Sequence, residues 1–103
     1  MKIDIQIDGP TATIHLTGEI TAQDRAAFEE VAAKALASGP QQVVVDLSRL
    51  DFMDSAGLGF LLILLKMGEE KGAAVALAQP RGDVKDQLEL ARFNLLFDIR
   101  DSA

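Results

Sequence analysis

The sequence feature that most constrains the fold is a β-branched run followed, after a short connection, by a long apolar segment. The strand-like run from Val43 to Leu47 begins with an uninterrupted Val43-Val44-Val45, which is typical of a central strand buried on both faces of a sheet. The apolar stretch from Ala56 to Leu65 comes after Asp54-Ser55. It is well short of the roughly 20 residues that span a bilayer, so it predicts a buried helix. Together the two runs predict a strand–loop–helix unit.

The residues before this unit predict a hairpin and a helix. Apolar residues alternate with polar ones over 3–7 and again over 12–16, which is the period of a half-buried strand. Gly9-Pro10 between them is a turn signal, so the two strands are expected to be antiparallel. Thr21 then resembles a helix N-cap, and the apolar residues from Phe28 to Leu36 recur at helical spacing.

The residues after the unit predict two further strands and a third helix. Gly72 is expected to end the central helix, and Ala74–Ala78 reads as a short buried strand. The helix is marked by residues 84–91 and the last strand by 96–100. The predicted order is therefore β-β-α-β-α-β-α-β, an α/β domain with a mixed sheet. One domain spanning residues 1–103 accounts for the whole chain.

The central helix is unusual because it is apolar on two sides. Taking roughly 100° per residue, the helix carries one set of apolar residues at Leu58, Leu61, Leu62 and Leu65, and another at Ala56, Phe60, Ile63, Leu64 and Met67. One side is expected to cover the sheet. The other requires a neighbouring helix or a docked partner, and the sequence leaves both alternatives open.

Composition narrows the classes of function. The formal net charge of -6 argues against a nucleic-acid partner, because the phosphate backbone would be repelled. The chain has no cysteine, which excludes disulfides, thiolate zinc sites and thiol catalysis. Its start, Met1-Lys2-Ile3-Asp4, lacks the apolar core of a signal peptide. We therefore expect a cytoplasmic protein with no membrane partner, and we expect it to be a monomer.

The connection Asp54-Ser55-Ala56-Gly57-Leu58-Gly59 is the candidate site. Unpaired backbone N–H groups and the helix dipole favour negative charge at a helix start, so Ser55 could carry a phosphate there without loss of the fold. A serine before an apolar helix is more often only the N-cap of that helix, and this alternative stays open for Ser55. Gly57 and Gly59 could admit a partner's backbone or could serve close packing of helix on sheet, and both alternatives stay open.

Val45-Asp46-Leu47-Ser48 leading into residues 52–59 resembles the STAS family, specifically its bacterial anti-sigma-factor antagonists. The resemblance covers nearly the whole chain, from Leu16-Thr17-Gly18-Glu19 to Leu96-Phe97-Asp98-Ile99. It implies that an anti-sigma factor, itself a serine kinase, phosphorylates Ser55. The unphosphorylated antagonist would bind that kinase and free the sigma factor, and a serine phosphatase would reset the cycle.

The resemblance also implies a set of partner-binding residues, namely Thr21, Asp54, Ser55, Ala56, Gly57, Gly59 and Phe60. This chain departs from the family in two places. Many members have an aspartate where Thr21 stands, so a role of that carboxylate in kinase or nucleotide contact is in doubt. The family usually closes with a helix, whereas only Asp101-Ser102-Ala103 follow the predicted last strand. That helix is therefore expected to be short or missing.

Two rival functions remain. The same fold could be a non-switching subunit of a transport or other regulatory complex, although the serine is often replaced in such proteins. A small hydrolase or a magnesium-dependent phosphotransfer enzyme could use Asp46, Asp51 and Asp54, but the strand Ala74–Ala78 supplies no lysine for such a site. His15 on a strand is expected to face solvent rather than act as a base. We therefore expect a protein that is not an enzyme and has no metal or cofactor.

Overall fold

One mixed sheet organises the structure, a computed structural model that describes residues 2–101. Its five strands lie side by side in chain order: β1 (Lys2–Asp8), β2 (Thr11–Ile20), β3 (Gln42–Met53), β4 (Ala74–Ala78) and β5 (Asp98–Arg100). β1 is antiparallel to β2, and the other neighbours are parallel. The predicted hairpin and mixed sheet are confirmed.

The helices are α1 (Arg25–Ala37), α2 (Ser55–Lys71) and α3 (Gly82–Leu90), with 3₁₀ turns at Ala22–Asp24 and Phe93–Leu95. Each helix connects two neighbouring parallel strands. Because such connections are right-handed, all three helices lie on the same face of the sheet. The predicted element order is confirmed, and every helix starts near the edge where the parallel strands end.

The core lies between this helical layer and the sheet. Ile14, Val45 and Leu77 line it from three adjacent strands, and Phe28 and Leu61 line it from two helices. On the other face of the sheet, Val44, Ala76 and Ala78 form a small separate cluster. No helix among the described residues covers that face, and its neighbouring side chains bury the cluster instead.

Strand β3 is longer than predicted, and this positions the site. The sequence placed its end at Leu47, but the strand continues to Met53 alongside β2. Two irregularities of register, between His15 and Thr17 and between Gly18 and Glu19, accommodate the extra β3 residues. Polar residues at these bulges interrupt the alternation by which a strand is recognised. The parallel pairing ends at Ile20 and Met53, which brings both strand ends to the start of α2.

The last strand is shorter than predicted, because residues 93–95 form a 3₁₀ turn. Arg92 adopts a left-handed conformation with φ of 59° and reverses the chain after α3. Phe93 and Phe97 then stack in the core with ring centroids 5.5 Å apart. Ser102 and Ala103, where the sequence predicted a short or missing helix, lie outside the described residues.

Candidate functional site

Ser55 is the first residue of α2, and Asp54 caps the helix before it. Asp54 is extended, with φ of -87° and ψ of -176°. Its Oδ1 accepts hydrogen bonds from the backbone N–H groups of Ala56 at 3.0 Å and Gly57 at 3.3 Å. The alternative that made Ser55 the N-cap is therefore wrong, because the aspartate one residue earlier has the required backbone conformation and takes the free amides.

The second oxygen of Asp54 joins two parts of the chain. Oδ2 accepts a hydrogen bond from the Ala22 N–H at 3.3 Å, and the Asp54 N–H donates to the Ile20 carbonyl at 3.2 Å. The start of the Ala22–Asp24 turn is thereby held beside the start of α2. Thr21 lies at this junction, and its N–H donates to Asp24 Oδ2 at 2.8 Å, as in one half of a capping box. Thr21 is thus an N-cap residue as predicted, but of the Ala22–Asp24 turn, and Asp24 precedes α1 itself.

The side chain of Ser55 is exposed, and its hydroxyl makes no hydrogen bond within residues 2–101. The first amides after Ser55 belong to Ala56 and Gly57, and both already bond to Asp54. A phosphate on Ser55, which we expect these helix amides to receive, would therefore compete for them with the Asp54 carboxylate. The two negative charges would lie next to each other and repel.

The two glycines that follow have different surroundings. A Cβ atom added to Gly57 would lie 2.9 Å from Met53 Cβ and 3.1 Å from Ile20 Cγ2. Gly57 therefore allows α2 to pack closely against the ends of two strands. A Cβ atom on Gly59 would meet nothing within 4 Å. Of the two alternatives for these glycines, packing accounts for Gly57, and only Gly59 is open to a partner.

Phe60 lies in the core rather than on the surface. It is 4% exposed, and its ring stacks on that of Phe28 with centroids 5.5 Å apart. The contact joins α2 to α1. The structure therefore does not support the expectation that Phe60 contacts a partner, because its ring is already enclosed between the helices. Ala56 is partly buried and packs against the same core.

The face of α2 that carries Ser55 is only partly covered, because Leu58 packs against the core while Leu62 stays exposed. Leu58, Gly59 and Leu62 follow Ser55 at the i+3, i+4 and i+7 positions, which place them on the face that carries Ser55. Leu62 is 41% exposed. We call these four residues the α2 surface. The partner-binding set that the resemblance implies omits Leu58 and Leu62, although counting helical turns from Ser55 identifies both.

The burial of α2 does not follow the two apolar sets that the sequence suggested. Its buried residues are Gly57, Phe60, Leu61, Leu64 and Gly68. This stripe takes members from both sets, because the glycines let the helix lie closer to the sheet than an apolar count predicts. Leu62 lies outside this stripe and is exposed.

A hydrogen-bonded pair on the opposite face of the sheet was not foreseen. His15 Nδ1 lies 2.8 Å from Asp46 Oδ2, and Asp46 Oδ1 accepts a hydrogen bond from the Ser48 N–H at 3.0 Å. Burial raises the pKa of the Asp46 carboxyl, but its bonds to Ser48 and His15 outweigh that effect and leave the pKa below its ordinary value. His15 alternates with core residues along β2 and points away from the helices.

The carboxylates considered for a metal site have different partners. Asp51 accepts a hydrogen bond from the Arg81 guanidinium at 2.6 Å. The Arg81 side chain also donates to the Ser48 carbonyl, at 2.6 Å. Asp46 bonds to His15 on the open face of the sheet, and Asp54 caps α2. Among residues 2–101, no three acidic, histidine or cysteine side chains converge as metal ligands would.

The comparison with known proteins decides the family. The sequence profile of the STAS domain matches residues 2–103. A STAS-domain containing protein of Pseudomonas aeruginosa is 34% identical over 96 residues, which cover 89% of this chain and 90% of that protein. The chain belongs to the STAS domain family. A second relative, BtrV of Bordetella bronchiseptica, is provisionally named an anti-sigma factor antagonist. This STAS domain is 28% identical to it, over 99% of this chain and 88% of BtrV.

Solved structures share the fold. The unphosphorylated form of the anti-sigma factor antagonist SpoIIAA matches 99% of this STAS domain and 90% of its own chain, with a TM-score of 0.78 and 20% identity. The phosphorylated form, from Bacillus, gives a TM-score of 0.73 at 19% identity over 95% and 90% of the two chains. A sulfate transporter family protein from Wolinella succinogenes gives 0.79 at 13% identity over 94% and 81%. At these identities the likeness concerns the fold alone.

We also compared the helices with the requirements for crossing a membrane. Across residues 2–101, no helix is both long enough and apolar enough to span a membrane.

Proposed function

We propose that this STAS domain is an anti-sigma-factor antagonist that acts in a partner switch in the cytoplasm. Its unphosphorylated form binds an anti-sigma factor that is a serine kinase, and the sigma factor is released. Phosphorylation of Ser55 ends that binding, and a serine phosphatase restores it. The domain is then a binding module and a kinase substrate rather than an enzyme.

The observation that carries this proposal is the free hydroxyl of Ser55 beside an open apolar face. Ser55 is exposed, and Asp54 supplies the helix cap in its place. Modification of the hydroxyl therefore removes no structural bond of the serine itself. Leu62 on the same face is 41% exposed, so a protein that docks over the α2 surface would contact both the serine and an apolar side chain.

The surroundings of Ser55 support an off state after phosphorylation. A phosphate adds about -1.5 to -2 charges and a hydration shell. It would lie beside Asp54, whose carboxylate already accepts hydrogen bonds from the amides of Ala56 and Gly57. A docked partner would have to desolvate two adjacent anionic groups. A loss of ~3–4 kcal/mol would weaken the affinity several-hundred-fold, which is enough for a switch.

The similar proteins support the same proposed function. BtrV carries the provisional name of an anti-sigma factor antagonist and aligns with 99% of this chain. SpoIIAA has this fold in a phosphorylated and an unphosphorylated form, so the fold is compatible with a phosphoprotein. The alternative, a non-switching subunit of a transport or other regulatory complex, is favoured only by the shared fold of the sulfate transporter family protein.

Incubation with ATP and serine kinases encoded next to the gene tests the proposal. The intact mass of the protein is expected to rise by one phosphate in the wild type and not in Ser55→Ala. Ser38 is exposed as well, so Ser38→Ala is the matched control and is expected to accept the phosphate normally.

Binding to the same kinases separates the two candidate functions. We expect Ser55→Ala to bind like the unphosphorylated wild type, and Ser55→Asp to bind at least about a hundredfold more weakly. Equal binding of all three proteins, with no phosphate transferred by any kinase, would contradict the switch and favour the constitutive subunit.

A further inference from the structure

Three exposed leucines lie close together in the sequence, away from the α2 surface, and we call them the leucine patch. Leu90, Leu95 and Leu96 are 85%, 73% and 51% exposed, respectively. All three lie within seven consecutive residues: Leu90 ends α3, Leu95 ends the 3₁₀ turn after it, and Leu96 directly follows that turn. Single exposed leucines are ordinary, but several together on one segment mark a contact surface.

The leucines are held outward by a well-anchored segment. Phe93 and Phe97 are buried and stacked on each other, and they fix the backbone on both sides of Leu95 and Leu96. The turn between α3 and this segment is hydrogen-bonded, since the Arg92 N–H donates to the Glu89 carbonyl at 3.0 Å. The leucines therefore cannot turn inward without displacement of the core phenylalanines.

Acidic side chains border the same patch. Asp83 and Asp86 precede Leu90 by seven and four residues, so they lie along its side of α3. Asp86 and Glu89 line a shallow depression together with Leu90. Within the described part of the chain these three carboxylates have no ion pair, whereas the neighbouring Lys85 is 3.9 Å from Asp101. The exposed guanidinium of Arg92 lies in the same segment, so three carboxylates stand against one cation. The patch thus offers apolar contact together with an excess of negative charge.

The patch lies at the opposite edge of the domain from Ser55. α2 and α3 both start at the edge where the parallel strands end, because each follows a parallel strand. Leu90 is the last residue of α3, whose nine residues extend over about 13 Å at 1.5 Å per residue. A partner seated on Leu90 would therefore leave the α2 surface free.

We infer that this leucine patch binds a basic amphipathic helix of a partner protein. Apolar side chains of that helix would cover Leu90, Leu95 and Leu96, and its lysine or arginine side chains would face Asp83, Asp86 and Glu89. The charge argues against other occupants. Anionic lipid and nucleic acid would be repelled, and a second copy would place carboxylates against carboxylates on a chain of net charge -6.

A titration with a defined peptide tests the inference. The probe is a synthetic helix of about five turns with leucines on one face and lysines along both flanks. Isotope-labelled protein is titrated with it, and backbone amide shifts are followed. We expect shifts confined to residues 83–97, and an affinity that falls as salt is added. The double variant Leu90→Glu/Leu95→Glu should weaken binding about tenfold or more.

Three control variants distinguish specific binding at this surface from nonspecific binding of the peptide. Ile7→Glu changes another exposed apolar residue, and Ser55→Asp changes the phosphoacceptor; both should bind the peptide like the wild type. Asp86→Lys/Glu89→Lys leaves the leucines and the core intact and should also weaken binding. The inference is overturned if the sequence-scrambled peptide or one with glutamates for lysines binds equally well, if the shifts map elsewhere, or if the leucines prove to mediate a dimer of the protein.

Discussion

The carboxylate of Asp54 accepts a hydrogen bond from the backbone N–H of Ala22, which lies 32 residues earlier in the chain. The same carboxylate caps α2. One side chain therefore fixes the start of a helix and ties it to the loop that follows β2. The position of Ser55 depends on this arrangement, because Ser55 is the next residue along the chain.

Removal of the Asp54 carboxylate should lower stability without loss of the fold. We expect Asp54→Ala to reduce the free energy of unfolding by about 1–2 kcal/mol, since the caps of Ala56 and Gly57 and the bond to Ala22 are lost together. Urea denaturation measures the change. Asp54→Asn is the matched control and should keep most of the stability, because asparagine caps helices about as well. Equal losses in both variants would contradict the capping role.

The two glycines of α2 should respond to alanine in opposite directions. Gly57→Ala forces a Cβ atom to within 2.9 Å of Met53 Cβ, and we expect a loss of about 1–3 kcal/mol. Gly59→Ala meets no atom within 4 Å and should gain about 0.5–1 kcal/mol from helix propensity. Thermal or urea unfolding of the two variants measures both changes in stability. A shift of the same sign in both would show that packing does not distinguish the two positions.

The Asp46 carboxylate should stabilise the protein only above acidic pH. Its side chain is 22% exposed, and its pKa in the folded state lies below the ordinary value. The stabilisation is therefore present above the unfolded pKa near 3.9 and is lost as pH falls through the lower folded pKa. Stability curves of the wild type and Asp46→Asn should converge on acidification. Curves that stay parallel down to the acid transition would exclude this linkage.

Replacement of Gln87 in α3 should stabilise the protein. The Oε1 atom of Gln87 is buried and accepts no hydrogen bond from the described residues, which is costly for a polar atom. Gln87→Met keeps the shape and removes the polar group, so we expect a gain of about 1 kcal/mol in the free energy of unfolding. Gln41→Met, at an exposed position, should be close to neutral. A loss of stability in Gln87→Met would show that the oxygen has a hydrogen-bond donor in solution.

The fold was predictable from the sequence because its elements have clear periods. The alternation in β1 and β2, the unbroken run of Val43 to Val45 and the helical spacing after Phe28 each depend on local residues alone. The boundaries were less predictable. β3 continues past Leu47 to Met53 because its partner β2 continues beside it, and no local pattern records the length of a neighbouring strand.

The sequence predicted that Asp54 and Ser55 lie between a strand and a helix, as they do, but it did not assign the role of each residue. Asp54 and Ser55 both have the chemistry of an N-cap, and only the backbone conformation at Asp54 assigns the role. Phe60 and Leu62 are both apolar residues of α2, and only the packing of α1 decides which is buried. His15 and Asp46 are 31 residues apart in sequence, so their pairing follows from the register of two strands rather than from any motif.

The strands lie in the sheet in the order in which a ribosome delivers them. After the first hairpin, each new strand can join the free edge of the strands already made, and none has to be inserted between two formed neighbours. A nascent chain can therefore assemble one strand and helix at a time from its N-terminus, as domains commonly begin to do during synthesis. The strand edge exposed at each moment is the one that the next segment of the chain will cover.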